Sequence, residues 1–133
     1  MRKVIFIVFI IALAACTSEK TVKKPEKSEQ LIEVKNGVYS EWYPGKKQLK
    51  FRGSVDKKGN RNGKWVFYSE RGTELSIMVY TLGKRDGFSI VKYPNGALHY
   101  RGEYRNDEMV GVWTTYDEKG KIISEKDYGY KDE

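Results

Sequence analysis

The chain of 133 residues is poor in the side chains that most often carry chemistry, with one cysteine and one histidine. A single cysteine excludes an intramolecular disulfide and a multi-cysteine metal site. Metal sites need several His, Cys or carboxylate ligands converging, and no such spacing occurs around His99. No apolar run approaches the roughly 20 residues of a transmembrane helix; the run at residues 4–13 (VIFIVFIIAL) has only ten. Glycines recur singly rather than clustering between a strand and a helix, which removes a phosphate-cradling loop. No segment carries a helical apolar stripe. A catalytic site, a metal and a cofactor are therefore not expected, and the chain is read as a non-enzyme.

What is present starts with a leader. Met1, Arg2 and Lys3 precede the short apolar run, and small residues close it at Leu13-Ala14-Ala15-Cys16. This is the layout of a secretory signal peptide over residues 1–15. Leu-Ala-Ala-Cys resembles the lipobox of bacterial lipoproteins, in which the cysteine thiol receives a diacylglyceryl group before cleavage. The resemblance implies lipidation at Cys16 and a first partner, membrane lipid, reached through the acylated cysteine. Two acyl chains anchor firmly where one is marginal, since each buried CH₂ contributes about 0.8 kcal/mol. Thr17 occupies the position where aspartate often marks inner-membrane retention. The expected location is thus a cell membrane, and the outer one where the source has two.

Residues 16–35 are rich in Lys, Glu, Ser and Thr and lack aromatic side chains. Such a stretch buries too little apolar surface to offset its ordering entropy, so a flexible tether is expected. Leu31, Ile32 and Val34 are able to start a first strand, which leaves the boundary open by several residues.

Residues 36–133 are repetitive. Gly63, Gly87 and Gly111 are spaced by 24, as are Gly72, Gly96 and Gly120, and Tyr80, Tyr104 and Tyr128. Gly37 begins an earlier copy with two extra residues. Within a copy, Leu49, Phe51, Gly53 and Val55 alternate with polar residues, as do Leu98, Tyr100, Gly102 and Tyr104. Period two with one apolar face is the signature of strands. Ser69-Glu70-Arg71-Gly72, Tyr93-Pro94-Asn95-Gly96 and Asp117-Glu118-Lys119-Gly120 read as turns that end on a positive-φ glycine. The expected fold is all-β, an elongated, twisted antiparallel meander of about four β-hairpin repeats. Gly53 and Gly102 sit mid-strand, where glycine is costly unless space is needed; an overlying aromatic ring and a β-bulge are the two explanations.

Gly63-Lys64-Trp65-Val66-Phe67-Tyr68 and Gly111-Val112-Trp113-Thr114-Thr115-Tyr116 share a G-x-W-x-x-Y core. The pattern resembles the bacterial variant of the MORN repeat, and the likeness runs from Asn36 to about Tyr128. Tyr39 and Ser89 replace the tryptophan in the other copies, which carry Tyr43-Pro44 and Tyr93-Pro94 instead. The resemblance implies an elongated sheet that makes protein or membrane contacts. Some members of that family are named as antitoxins or immunity partners of secreted toxins. A lipid-kinase label also circulates, but the repeat is not the kinase domain.

For chemistry, His99 falls on the polar face of its strand and reads as a solvated surface residue. Asp107-Glu108 and Asp117-Glu118 read as turn residues. Residues 36–85 hold 11 basic and 4 acidic side chains, whereas residues 86–133 hold 7 and 10. The basic half suits anionic lipid or an acidic partner, or simply solubility. Nucleic acid needs basic and aromatic side chains interleaved on one face and does not suit an exported chain. Trp65, Phe67, Tyr100 and Tyr104 are expected on one face, with Tyr68 and Tyr116 on the other. Tyr43, Tyr68, Tyr93 and Tyr116 form the candidate binding surface, unless they are cross-strand pairs of the sheet itself. The expected function is a membrane-anchored, monomeric module that binds a protein partner in the envelope. An antitoxin or immunity protein and a structural spacer are the alternatives.

Overall fold

The computed structural model describes residues 31–130. The leader, Cys16 and the tether up to residue 30 lie outside the described residues. Nine strands follow in chain order: β1 (Ile32–Lys35), β2 (Val38–Trp42), β3 (Leu49–Val55), β4 (Arg61–Tyr68), β5 (Glu74–Thr81), β6 (Lys84–Lys92), β7 (Leu98–Arg105), β8 (Glu108–Tyr116) and β9 (Ile122–Asp127). Each pairs antiparallel with the next, giving one meander sheet in the order β1 to β9 that does not close on itself. The all-β hairpin meander expected from the period-two pattern is what forms. β1 begins inside the stretch assigned to the tether, at Ile32 and Val34.

Two kinds of turn alternate along the sheet except between β3 and β4, where Gly59 (φ 83°) closes a longer turn. At one end the three turn signals behave as read: Gly72, Gly96 and Gly120 take φ of 85°, 87° and 83°, and their N–H groups donate to the carbonyls of Ser69, Tyr93 and Asp117. At the other end sit two-residue turns, Asn36-Gly37, Leu82-Gly83 and Asn106-Asp107, in which both residues have positive φ. That is the primed turn geometry whose twist matches paired strands, and it favours Asn, Asp and Gly. Leu82 is the exception, an exposed leucine at φ 49°. A left-handed backbone costs a residue with a bulky side chain about 1 kcal/mol. Leu82→Asn should therefore raise the unfolding free energy by about 0.5–1 kcal/mol; urea denaturation that shows a loss instead would contradict the turn assignment.

The core is unusual because a single sheet has no second layer to pack against. Two tryptophans solve this by lying flat on the sheet. Trp65 and Trp113 are 5% and 6% exposed, among the few buried side chains described. A Cβ on Gly53 would fall inside the Trp65 ring, and one on Gly102 inside the Trp113 ring. The indole N–H of Trp65 donates to the Ser54 carbonyl (2.8 Å) and that of Trp113 to the Glu103 carbonyl (3.2 Å). The strand register also shifts beside each of these glycines, between Gly53 and Val55 and between Arg101 and Glu103. Gly63 and Gly111, two residues before each tryptophan, have φ of 86° and 59° and lie among the extra residues that β4 and β8 themselves carry at these shifts. Ring and bulge are thus parts of one device rather than alternatives.

Alternation then sorts the faces. Trp65, Phe67, Tyr100 and Tyr104 share one face, with Phe51 and Phe67 at 4.9 Å between ring centroids and Tyr104 edge-on to Trp113 at 4.9 Å. The opposite face is aliphatic through β4, β5 and β6, where Val66 pairs with Ile77 and Ile77 with Ile90.

Between the two Trp–Gly layers lies a different pair. Ser89 stands opposite Met78 on one side and Gly102 on the other. It is fully buried, and its hydroxyl has no hydrogen-bond partner among the described residues. An unsatisfied buried hydroxyl is unfavourable by about 1–3 kcal/mol. Ser89→Ala should accordingly leave stability unchanged or raise it by about 1 kcal/mol, read as the midpoint of thermal unfolding; a marked loss would mean that the hydroxyl has a partner.

Candidate binding surface

The four tyrosines singled out from sequence form two separate pairs. The Tyr43 hydroxyl donates to the Tyr68 carbonyl and the Tyr93 hydroxyl to the Tyr116 carbonyl, each at 2.9 Å. A loop tyrosine thus clamps the end of a strand two places further along, at β4 and at β8. All four are half-buried. β5 runs between β4 and β6, so the two pairs occupy different parts of the sheet. The hydroxyls of Tyr43 and Tyr93 are committed to the fold, and only parts of the rings face outward. The Arg101 guanidinium lies 5.9 Å from the Tyr116 ring centre.

His99 is not solvated as expected. It is half-buried, stacked on Tyr93 at 4.2 Å with 29° between the planes, and edge-on to Tyr100 at 5.2 Å. The loop that carries Tyr93 folds back over β7, which brings the ring onto the histidine. Asp117 accepts the N–H groups of Lys119 and Lys121 and so behaves as a turn residue. Asp107 accepts both the backbone N–H and the side-chain Nε of Arg85, each at 2.9 Å. Those bonds, the backbone one foremost, hold its carboxyl below the usual range. Among the described residues no three His, Cys, Asp or Glu side chains converge as a metal site would require.

Cations on the aromatic face follow the repeat. Arg61 lies 4.4 Å from the Trp65 ring centre and 5.2 Å from that of Tyr80, and donates to the Tyr80 hydroxyl at 3.0 Å. Arg85, 24 residues on, lies 4.1 Å from the Tyr104 ring centre. Part of the basic excess is therefore absorbed in cation–π contacts within the sheet, each contributing about 0.5–1 kcal/mol at exposed sites. Glu41 bonds Lys50 at 2.9 Å, which lowers its pKa. Burial first, and then the hydrogen bond to Glu41, raises that of Tyr39.

The surface that sequence reasoning missed lies on the other face, toward the C-terminal end. An open groove of about 490 Å³ is lined by Phe88, Ile90, Val110 and Val112, with Arg101 and Glu125 among its polar rim. Phe88 and Val112 are 49% and 55% exposed. Val112 alternates with Trp113 and so shares this face with Val110 and Thr114, whereas the sequence expectation placed rings rather than aliphatic side chains at the binding surface. Tyr130 closes one side of the groove. Its ring lies over Gly111 and its hydroxyl donates to Glu103 at 3.0 Å, a bond that raises its pKa. The only advance signal was the run Val110-Gly111-Val112 ahead of the tryptophan.

No family model matches the chain, and comparison with curated proteins finds no match.

Proposed function

We propose that the chain is a lipid-anchored lipoprotein whose repeat sheet serves as a non-catalytic protein-binding module in the cell envelope. The observation that carries the reading is the open groove on the aliphatic face, with Phe88 and Val112 about half exposed at its floor and rim. Apolar surface of this kind, bordered by polar groups, is what protein interfaces desolvate. Arg101 and Glu125 at its edge supply the polar contacts that fix a partner's register. The Trp–Gly layers support assigning the repeats to the MORN-variant type. The leader and Leu13-Ala14-Ala15-Cys16 support the anchor.

Two measurements separate these parts. Cys16→Ser should abolish metabolic labelling by fatty acid and release the protein from membranes; continued labelling would remove the anchor. A photoreactive side chain at position 112 should crosslink one envelope protein in cells, and the same group at exposed Glu118 should not. Equal capture from both positions, or none from either, would sink the groove as a binding site.

A further inference from the structure

We propose that the turn at Leu82-Gly83 is a membrane-contacting tip that sets its leucine among the headgroups of an anionic bilayer. This goes beyond the protein-binding reading, because it concerns the end of the sheet rather than the groove.

The first observation is the leucine itself. Leu82 is 70% exposed at φ 49°, in a turn where the sister turns carry Asn36 and Asn106 at φ 52° and 50°. Neither its packing nor its backbone favours leucine there. A strained residue that the fold does not need is a reason to look for a function.

The second is its surroundings. The Gly83 N–H donates to the Arg61 carbonyl at 2.8 Å, and Gly83 lies against the Asn60 side chain. The Leu82 turn and the turn between β3 and β4 are therefore side by side. The latter carries Lys57 and Lys58, and Lys84 follows the leucine directly; all three are exposed. None of the three lysines is in an ion pair among the described residues. Of the carboxylates near in sequence, Asp56 is occupied by its own turn, accepting from Lys58 N, Asn60 N and Asn60 Nδ2, and Asp86, two residues from Lys84, is half-buried. Asp107 in the next turn is held by Arg85, with Lys84 adding a weaker attraction. An apolar tip flanked by three exposed lysines outside any direct ion pair among the described residues matches the boundary between anionic headgroups and acyl chains.

The third is reach. Leu31 enters at the opposite end of the strands, where its carbonyl accepts from Trp42 N at 2.8 Å. The eight-residue β5 between the two ends is about 27 Å long. The 15 residues from Cys16 to Leu31 extend to about 50 Å at most. A chain anchored at Cys16 can therefore lay this tip on its own membrane, and that clause alone rests on the lipidation reading.

The test places an environment-sensitive fluorophore on Leu82→Cys or, as the control at the other end of the same hairpin, on Glu70→Cys. The labelled full chain is reconstituted in phosphatidylcholine vesicles with and without phosphatidylglycerol. With phosphatidylglycerol, the label at 82 should shift to the blue and be quenched by acyl-chain-brominated lipid, while the label at 70 stays in water. Replacing Lys57, Lys58 and Lys84 by Gln should weaken insertion about fivefold per lysine. A label at 82 no deeper than at 70 overturns the proposal. Equal depth without anionic lipid overturns it as well, as does burial that needs an added envelope protein. Fatty-acid labelling of Cys16 reports on the anchor separately, so the two ideas fail independently.

Discussion

Gly102→Ala is expected to lower the unfolding free energy by about 3 kcal/mol, the upper part of the range for overpacking, and Gly53→Ala by a similar amount. The reason is space alone. Neither glycine has a positive φ, so alanine suits the backbone at both. What it does not suit is the indole overhead, since the new methyl would occupy the position of the Trp113 or Trp65 ring. The ring has nowhere to retreat. Its N–H is tied to a backbone carbonyl, and other side chains crowd it: Tyr39 and Arg61 lie 5.2 Å and 4.4 Å from the Trp65 ring centre, and Tyr104 lies 4.9 Å from Trp113. For a domain of about 100 residues this loss corresponds to a drop of about 15 °C in Tm. Gly120→Ala is the matched control. That glycine has nothing within 4 Å of a new Cβ but sits at φ 83°, so it should cost only about 1 kcal/mol of backbone strain. Should Gly102→Ala prove no worse than Gly120→Ala in urea denaturation, the ring does not lie where the fold places it.

This dependence on glycine explains which parts of the molecule were legible beforehand. The strands and the glycine-closed turns follow from period two and from residue types with one strong backbone preference. The tryptophan–glycine contact was half legible. A mid-strand glycine demands a reason, and an overlying ring and a bulge both supply one; only geometry reveals that Gly63 and Gly111 make the bulge beside the ring. The turn at Leu82-Gly83 was hidden because leucine carries no turn signal. Asn36-Gly37 and Asn106-Asp107 do carry one, and Asp107 was legible as a turn residue. The groove was legible only in part: alternation with Trp113 puts Val112 on the opposite face, but only the register brings Phe88 and Ile90 of β6 to that same face. His99 lies on the face that alternation assigns to it, but the Tyr93 ring covers it there, so it is half-buried rather than solvated.

The largest coupled effect is expected at the layer that breaks the pattern. Trp65, Ser89 and Trp113 are spaced by 24, and Gly53, Met78 and Gly102 by 25 and 24. Ser89 faces Met78 across the strand pair, as Trp65 faces Gly53. The middle layer therefore has its large side chain on the other strand: Met and Ser where its neighbours have Gly and Trp. Met78→Gly alone removes a half-buried side chain and adds backbone entropy, a loss of about 2–3 kcal/mol. Ser89→Trp alone drives an indole into the Met78 side chain, a loss of about 3 kcal/mol. Together they rebuild the neighbouring layer, and Tyr39 beside Trp65 indicates that a ring at this position is tolerated next to a tryptophan. The double variant should recover about 3 kcal/mol relative to the sum of the singles, a coupling at the top of the range for contacting residues. A double-mutant cycle in urea measures it. Simple additivity would mean that the middle layer is not a swapped copy of its neighbours, and that the repeat is interrupted at β5 and β6 rather than continued in another form.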